Sequence, residues 1–144
     1  MTDTLATKNF DIWNAILDPF EPFNPEKKGA LVELVAIDTP LPASNTLRRS
    51  LRLAREALPD ILAEREKLAV KHAKKDADGN PVKTEDGQGI ELEDQKAFVA
   101  DLEALFSQDC PLVGAKTVKV SELGNIVFAG EKLDRLNAFV IDDA

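Results

Sequence analysis

S-N-T-L-R-R-S-L-R-L-A-R-E-A-L-P-D-I-L-A-E-R-E-K-L-A-V-K-H-A-K-K, Ser44 to Lys75, is the stretch whose spacing decides the fold. Apolar residues recur at Leu47, Leu51, Ala54, Leu58, Ile61 or Leu62, and Leu68, in steps of three and four. At 3.6 residues per turn such positions share one face, so the pattern predicts one long amphipathic helix. Ser44 is the expected N-cap, its hydroxyl accepting from the free N–H groups of the first turn. Pro59 removes one backbone hydrogen bond inside the run, and a kink is expected there. Two separate helices are the lesser reading, because Leu58 would cap the second one poorly. The other faces carry Arg48, Arg49, Arg52, Arg55, Glu56, Glu64, Arg65, Glu66 and Lys67, a solvated or partner-facing surface.

On the C-terminal side, K-D-A-D-G-N-P-V-K-T-E-D-G-Q-G (Lys75 to Gly89) is rich in turn formers, with Asp78-Gly79 and Asp86-Gly87 marking tight turns. A polar turn region over 76–92, a small β-hairpin or an ordered loop, is expected to lead into a helix from about Glu93 to Ser107. The stripe of that helix is Phe98, Leu102, Leu105 and Phe106. A compact link returns the chain beside the helix it has just left, so this stripe is expected antiparallel to Leu47, Leu51, Leu58, Ile61 and Leu68. Beyond Cys110-Pro111, L-V-G-A-K-T-V-K-V is β-prone, with Val118 and Val120 on one side. A turn from Ser121 to Gly124 follows, then a short apolar run from Ile126 to Phe128. A last helix from about Glu131 to Val140 should bury Leu133, Leu136 and Val140.

On the N-terminal side, Phe10, Trp13, Leu17 and Phe20 fit a short helix from Asn9 to Asp18, broken by Pro19, Pro22 and Pro25. Aromatic rings among prolines either cap the chain's own core, the plainer reading, or form a docking segment. Phe10, Trp13, Phe20 and Phe23 are therefore candidate partner-binding residues. Asn24-Pro25 reads as an N-cap followed by proline at the first helical position, opening a second helix to about Ile37 that buries Leu31, Leu34 and Val35. T-P-L-P (Thr39 to Pro42) should end it as an extended link. The fold class is mainly α with minor β (α+β), in a single domain over 1–144. Its parts are an N-terminal helical, proline-rich segment (1–43), a helical hairpin (44–109), and a short β segment with a terminal helix (110–144).

A chain of 144 residues with 44% hydrophobic residues can bury one core. No run of about 18 apolar residues is present, so no membrane span is expected. The first residues lack the basic-then-apolar pattern of a signal peptide. The single cysteine, Cys110, has no intramolecular disulfide partner, and synthesis in a reducing cytoplasm is the default. A net charge of −8 argues against nonspecific nucleic-acid binding, which needs Lys and Arg to displace counterions. Charge is segregated: residues 47–75 are basic on balance, whereas 76–109 and the C-terminal I-D-D-A are acidic. The basic helix either pairs with acidic segments of its own chain or a neighbouring copy, the plainer reading, or docks an acidic partner. Arg48, Arg49 and Arg52 join the aromatic residues as partner-binding candidates.

The residues that carry chemistry form no reaction centre in the sequence, so no catalytic, cofactor-binding or metal-binding residue is assigned. D-A-D-G-N resembles part of a calcium loop, but placing Gly79 at the loop glycine puts Lys74 at the first ligand position, and a turn is the better account. His72 is the only histidine and reads as a partly buried residue at the helix end. Cys110 reads as a small buried residue. Glu56, Glu64 and Glu66 read as i,i+4 partners of the cations around them.

The order N-T-L-R-R-S-L-R-L-A-R-E-A-L, I-L-A-E-R-E-K-L, K-K-D-A-D-G-N-P-V, D-Q-K-A-F-V-A-D-L-E-A-L-F and K-T-V-K-V-S-E-L resembles a family of small uncharacterised proteins of tailed bacteriophages, over about Ser44 to Leu123. The resemblance implies a phage or prophage gene product made with the virion structural proteins, and it supplies no catalytic residues. The expectation is a non-enzymatic structural or morphogenesis protein of the virion, at the head–tail junction or tail. It would be assembled in the host cytoplasm, with other phage structural proteins and copies of itself as partners, and without nucleic acid or membrane. The alternative is a soluble phage regulator that binds and inhibits a host protein.

Overall fold

The computed structural model describes residues 3–85, 87, 89–126, 128 and 130–141. The element order is β1 (Thr4–Leu5), α1 (Asn9–Ile16), α2 (Ala30–Val35), α3 (Leu41–Lys71), α4 (Gln95–Phe106), β2 (Leu112–Val113), β3 (Val118–Lys119), a 3-10 turn (Val120–Leu123), α5 (Gly130–Asp134) and β4 (Val140–Ile141). The fold is mainly helical with small two-stranded sheets, and α3 packs against α1, α2 and α4. The chain divides into two compact units, Met1–Leu58 with Asp109–Ala144, and Pro59–Gln108. The division falls at the Leu58–Pro59 bond inside α3, which stays one helix through the proline.

In the first unit, the α3 stripe of Ala43, Leu47, Leu51, Ala54 and Leu58 is buried, together with Ile12, Trp13, Ala15, Leu31, Leu34, Leu136 and Phe139. α1 and α2 meet through Gly29. Its N–H donates to the Ile16 carbonyl at 3.0 Å, and a Cβ there would lie 2.4 Å from the Ile16 carbonyl carbon. β1 pairs antiparallel with β2 (Thr4 opposite Val113), and β3 pairs parallel with β4 (Val118 opposite Val140).

Several sequence expectations are corrected in this unit. The Asn24-Pro25 signal is real but local: Asn24 Oδ1 accepts from Glu26 N–H at 2.9 Å, closing a turn and no helix. The helix waits until Ala30, because the chain must first pass extended through Gly29 to touch α1. α3 begins at Leu41 and not after Ser44, taking up the last two residues of T-P-L-P; proline is tolerated in a first turn, where no intrahelical partner awaits its nitrogen. The Ser44 hydroxyl accepts instead from Arg48. The α1 face turned inward is Ile12, Trp13 and Ala15, while Phe10 faces out. The expected final helix stops at Asp134; the chain then turns, buries Leu136 and Phe139, and makes β4. Val120 starts the 3-10 turn and is exposed, so only Val118 of the expected valine pair is buried. The apolar run at Ile126–Phe128 and the I-D-D-A end lie partly outside the described residues.

The second unit is the helical hairpin, antiparallel as expected. His72 contacts Asp101 and Phe98, while Glu64 and Leu68, earlier in α3, share a cleft of about 200 Å³ with Leu105 and Gln108, later in α4. Phe98 and Leu105 are buried; Leu102 and Phe106 are half-buried. The expected partner range is too long, however. Twelve residues of α4 span about 18 Å, against about 46 Å for α3. Leu47, Leu51 and Leu58 accordingly belong to the core of the first unit. Asp94 caps α4 by accepting from Ala97 N–H at 3.0 Å.

The connection is an ordered polar loop with hairpin-like bridges, Ala73 to Leu92, Lys75 to Pro81 and Lys83 to Ile90. Asp76 Oδ1 accepts from the N–H groups of Asp78 (2.9 Å) and Asn80 (3.0 Å), and Gly79 turns the chain at φ +82°. That carboxylate holds a turn, in keeping with the sequence reading. Asp86 of the second expected turn lies outside the described residues, and Gly87 has φ +71°.

Candidate functional site

The residues singled out in the sequence fall into two sets, both in the first unit. The aromatic set is divided by burial. Trp13 is in the core, whereas Phe10, Phe20 and Phe23 are 50%, 81% and 61% exposed. Phe23 meets the Trp13 ring edge-on at 6.1 Å, so it caps the core on one side and faces solvent on the other. Phe20 stands on the turn after α1, where Asp18 Oδ1 accepts from the N–H groups of Phe20 and Glu21, both at 2.9 Å. Those two amides hold the Asp18 carboxyl below its ordinary range. The Arg135 guanidinium lies 5.6 Å from the Phe20 ring centroid, a cation–π contact. Phe10 and Phe20 line a cleft of about 390 Å³ with Asp11, Asn14, Asp134 and Arg135. Core-capping therefore describes Trp13 and in part Phe23; Phe10 and Phe20 form an outward aromatic surface.

The arginine set is exposed along the first half of α3. Arg48, Arg52 and Arg55 follow an i, i+4, i+7 spacing and share one face. With Val35 and Leu51 as apolar neighbours and Glu56 as the one carboxylate, they line a groove of about 430 Å³. Arg49 is turned away into a separate polar cleft with Asp3, Asn45 and Lys116, beside Gly114. A Cβ at Gly114 would come within 3.2 Å of the Arg49 guanidinium, and its φ of +99° favours glycine as well.

Among the described residues the expected ion pairs are made late in α3 and not by the arginines of its first half. Lys67 meets Glu64 at 3.1 Å, and Lys71 meets Asp101 at 3.4 Å, but among the described residues none of Arg48, Arg49, Arg52 and Arg55 pairs with a carboxylate. An exposed arginine gains little from an ion pair in water and loses rotamer freedom by making one, so spacing alone does not enforce the pair.

His72 is the partly buried residue at the end of α3 that the sequence indicates. Its Nε2 lies 2.6 Å from Asp101 Oδ2, and its ring meets Phe98 edge-on at 6.2 Å. The hydrogen bonds with His72 first, and with Lys71 next, hold the Asp101 carboxyl below its usual range. Cys110 is only half-buried and its backbone is tied to Thr7, whose carbonyl accepts its N–H at 2.8 Å and whose hydroxyl donates to its carbonyl. Among the described residues no group of three or more His, Cys, Asp and Glu is placed to hold a metal ion, and no helix is long and apolar enough to cross a membrane. The arrangement offers surfaces suited to recognition: rings, guanidinium groups and shallow grooves. Compared with known proteins, the chain matches no family model, no curated protein and no solved structure.

Proposed function

We propose that this chain is a non-enzymatic structural or morphogenesis protein of a tailed bacteriophage, making protein–protein contacts in the virion at the head–tail junction or tail. The observation that carries the reading is the exposure of Phe10, Phe20 and Phe23 on one unit. Large rings held in water, when clustered, mark interaction surfaces, and aromatic and arginine residues are the types enriched where proteins meet. The phage context comes from the resemblance over residues 44–123. The partners on this reading are other phage structural proteins and further copies of the chain.

The test is quantitative mass spectrometry of gradient-purified particles from the source phage or induced prophage, beside a deletion of the gene. The reading expects stoichiometric peptides in particles or stalled assembly after deletion. Absence from particles together with normal assembly overturns it. A soluble regulator that blocks a host protein by mimicking the charge of DNA needs carboxylates along one exposed face. The exposed arginine row of α3 interrupts such a face, and a stoichiometric host partner in a pull-down is the result that would favour this second reading.

A further inference from the structure

We infer that the arginine face of α3 and the aromatic cleft around Phe20 are the two halves of one contact between copies of this chain. The guanidinium groups of Arg48, Arg52 and Arg55 in one copy dock on the Phe10–Phe20 cleft of the next. The inference rests on the reading of the aromatic surface as a contact surface, and it is independent of the virion.

Three observations carry it. First, Arg52 and Arg55 make no ion pair among the described residues, although the chain holds 26 acidic residues against 18 basic ones. Their natural complement is an anionic surface, and a second copy of a chain with net charge −8 supplies one. Second, the Phe20 cleft has the chemistry that receives a guanidinium. It offers ring faces for cation–π contact and the carboxylates of Asp11 and Asp134 for charge-assisted hydrogen bonds. Third, the chain demonstrates the contact on itself. Arg135 lies over the Phe20 ring at 5.6 Å, yet the residue remains 81% exposed, so most of its surface is still open. The groove beside the arginines adds apolar contact through Val35 and Leu51, matching the Phe10 and Phe20 rings in kind.

Because the two halves are different surfaces, each copy offers both. The contact then closes as a two-fold dimer if the two meet reciprocally, or runs head to tail into a ring or filament if they do not.

The test is sedimentation velocity of the full chain over a concentration series at low and high salt, with two variants altered only at exposed side chains. Phe20→Ala with Asp134→Asn removes the cleft; Arg52→Gln with Arg55→Gln removes the arginine face. Circular dichroism checks that both fold. The wild type should gain mass with concentration and lose it in high salt, because charge-assisted contacts near the surface are screened. Each variant alone should stay monomeric where the wild type associates. An equimolar mixture of the two should form a heterodimer and nothing larger, since one intact contact exists only between unlike copies. A monomeric wild type at low salt, undiminished association in either variant, or a mixture that stays monomeric overturns the inference. A chain that is monomeric yet present in particles removes the self-contact alone; one that associates but is absent from particles, with assembly normal after deletion, removes the virion reading alone.

Discussion

His72 Nε2 and Asp101 Oδ2 lie 2.6 Å apart, tying the end of α3 to the middle of α4 across 29 residues of sequence. Lys71 reaches the same carboxylate oxygen at 3.4 Å. Asp101 is held below the usual carboxylate range, chiefly by His72, so its folded-state value lies under its unfolded one. Such a carboxylate contributes stability above the unfolded value. As pH falls through that value towards the folded one, the unfolded chain takes up the proton first and the contribution is lost. The Tm gap between the wild type and Asp101→Asn should therefore be widest near neutrality and shrink from about pH 5 downward. A gap that stays constant to about pH 2 would contradict the pairing. Asp18 is depressed as well, so the comparison must be with the variant and not with acid denaturation of the wild type alone.

Gly29 and Gly130 should respond oppositely to alanine. A Cβ at Gly29 would sit 2.4 Å from Ile16 backbone, where no side chain can rotate away, so α1 and α2 must separate. Gly29→Ala is expected to destabilise by several kcal/mol, in the class of overpacked cores. Gly130 opens α5 and a Cβ there would meet nothing within 4 Å. Gly130→Ala should be neutral, or stabilise by up to about 1 kcal/mol through the unfolded chain. Denaturant titration of both variants checks the pair of signs.

Burial separates the apolar residues by energy. Leu34→Ala in the first unit and Leu105→Ala in the second each remove a buried side chain and should cost about 2–5 kcal/mol. Phe20→Ala removes a ring that is mostly in water and should stay within about 0.5 kcal/mol. A large loss for Phe20→Ala in a monomeric sample would mean that the ring belongs to the core.

The turn at Asp76 is held by its carboxylate, which accepts two backbone N–H groups. Asp76→Ala should cost about 0.5–1.5 kcal/mol, whereas Asp78→Ala should cost less. Adding calcium should leave the Tm unchanged, because Asp76 is engaged in the turn and the first ligand position of the loop is occupied by Lys74. A calcium-dependent rise in Tm, abolished in Asp76→Ala, is the result that would restore the loop as a metal site.

The long helix was legible in the sequence because its apolar period is carried by many residues and no competing period overlies it. α1 was legible as a helix but not in its facing. Phe10–Trp13–Leu17 and Ile12–Trp13–Ala15 both fit a helical stripe, and only the neighbours of the folded chain select the second. The hairpin was legible in direction; its extent could have been read from length alone, since a helix of 12 residues cannot cover one of 31. β1 to β4 are two residues each, too short to show alternation, and their pairing partners lie far along the chain. Asn24-Pro25 made its turn, but a capping signal states where a helix can begin, not that the next residues continue it. For the candidate surfaces, residue type named the arginines and rings in advance. Exposure did not follow from type: Trp13 went inside while Phe20 stayed outside.

The nesting of one unit within the other sets an order for synthesis. Residues 59–108 form a contiguous unit, whereas the unit around them needs both Met1–Leu58 and Asp109–Ala144. Thr7 finds Cys110 only across 103 residues, and β1 stays unpaired until β2 exists. A chain emerging from the ribosome N-terminus first can thus complete its second unit while the first still waits for strands, Leu136 and Phe139. During that interval the apolar faces of α1, α2 and the start of α3 lack the C-terminal part of their core, and nascent chains stalled between residues 108 and 139 are the ones most exposed to aggregation and proteolysis.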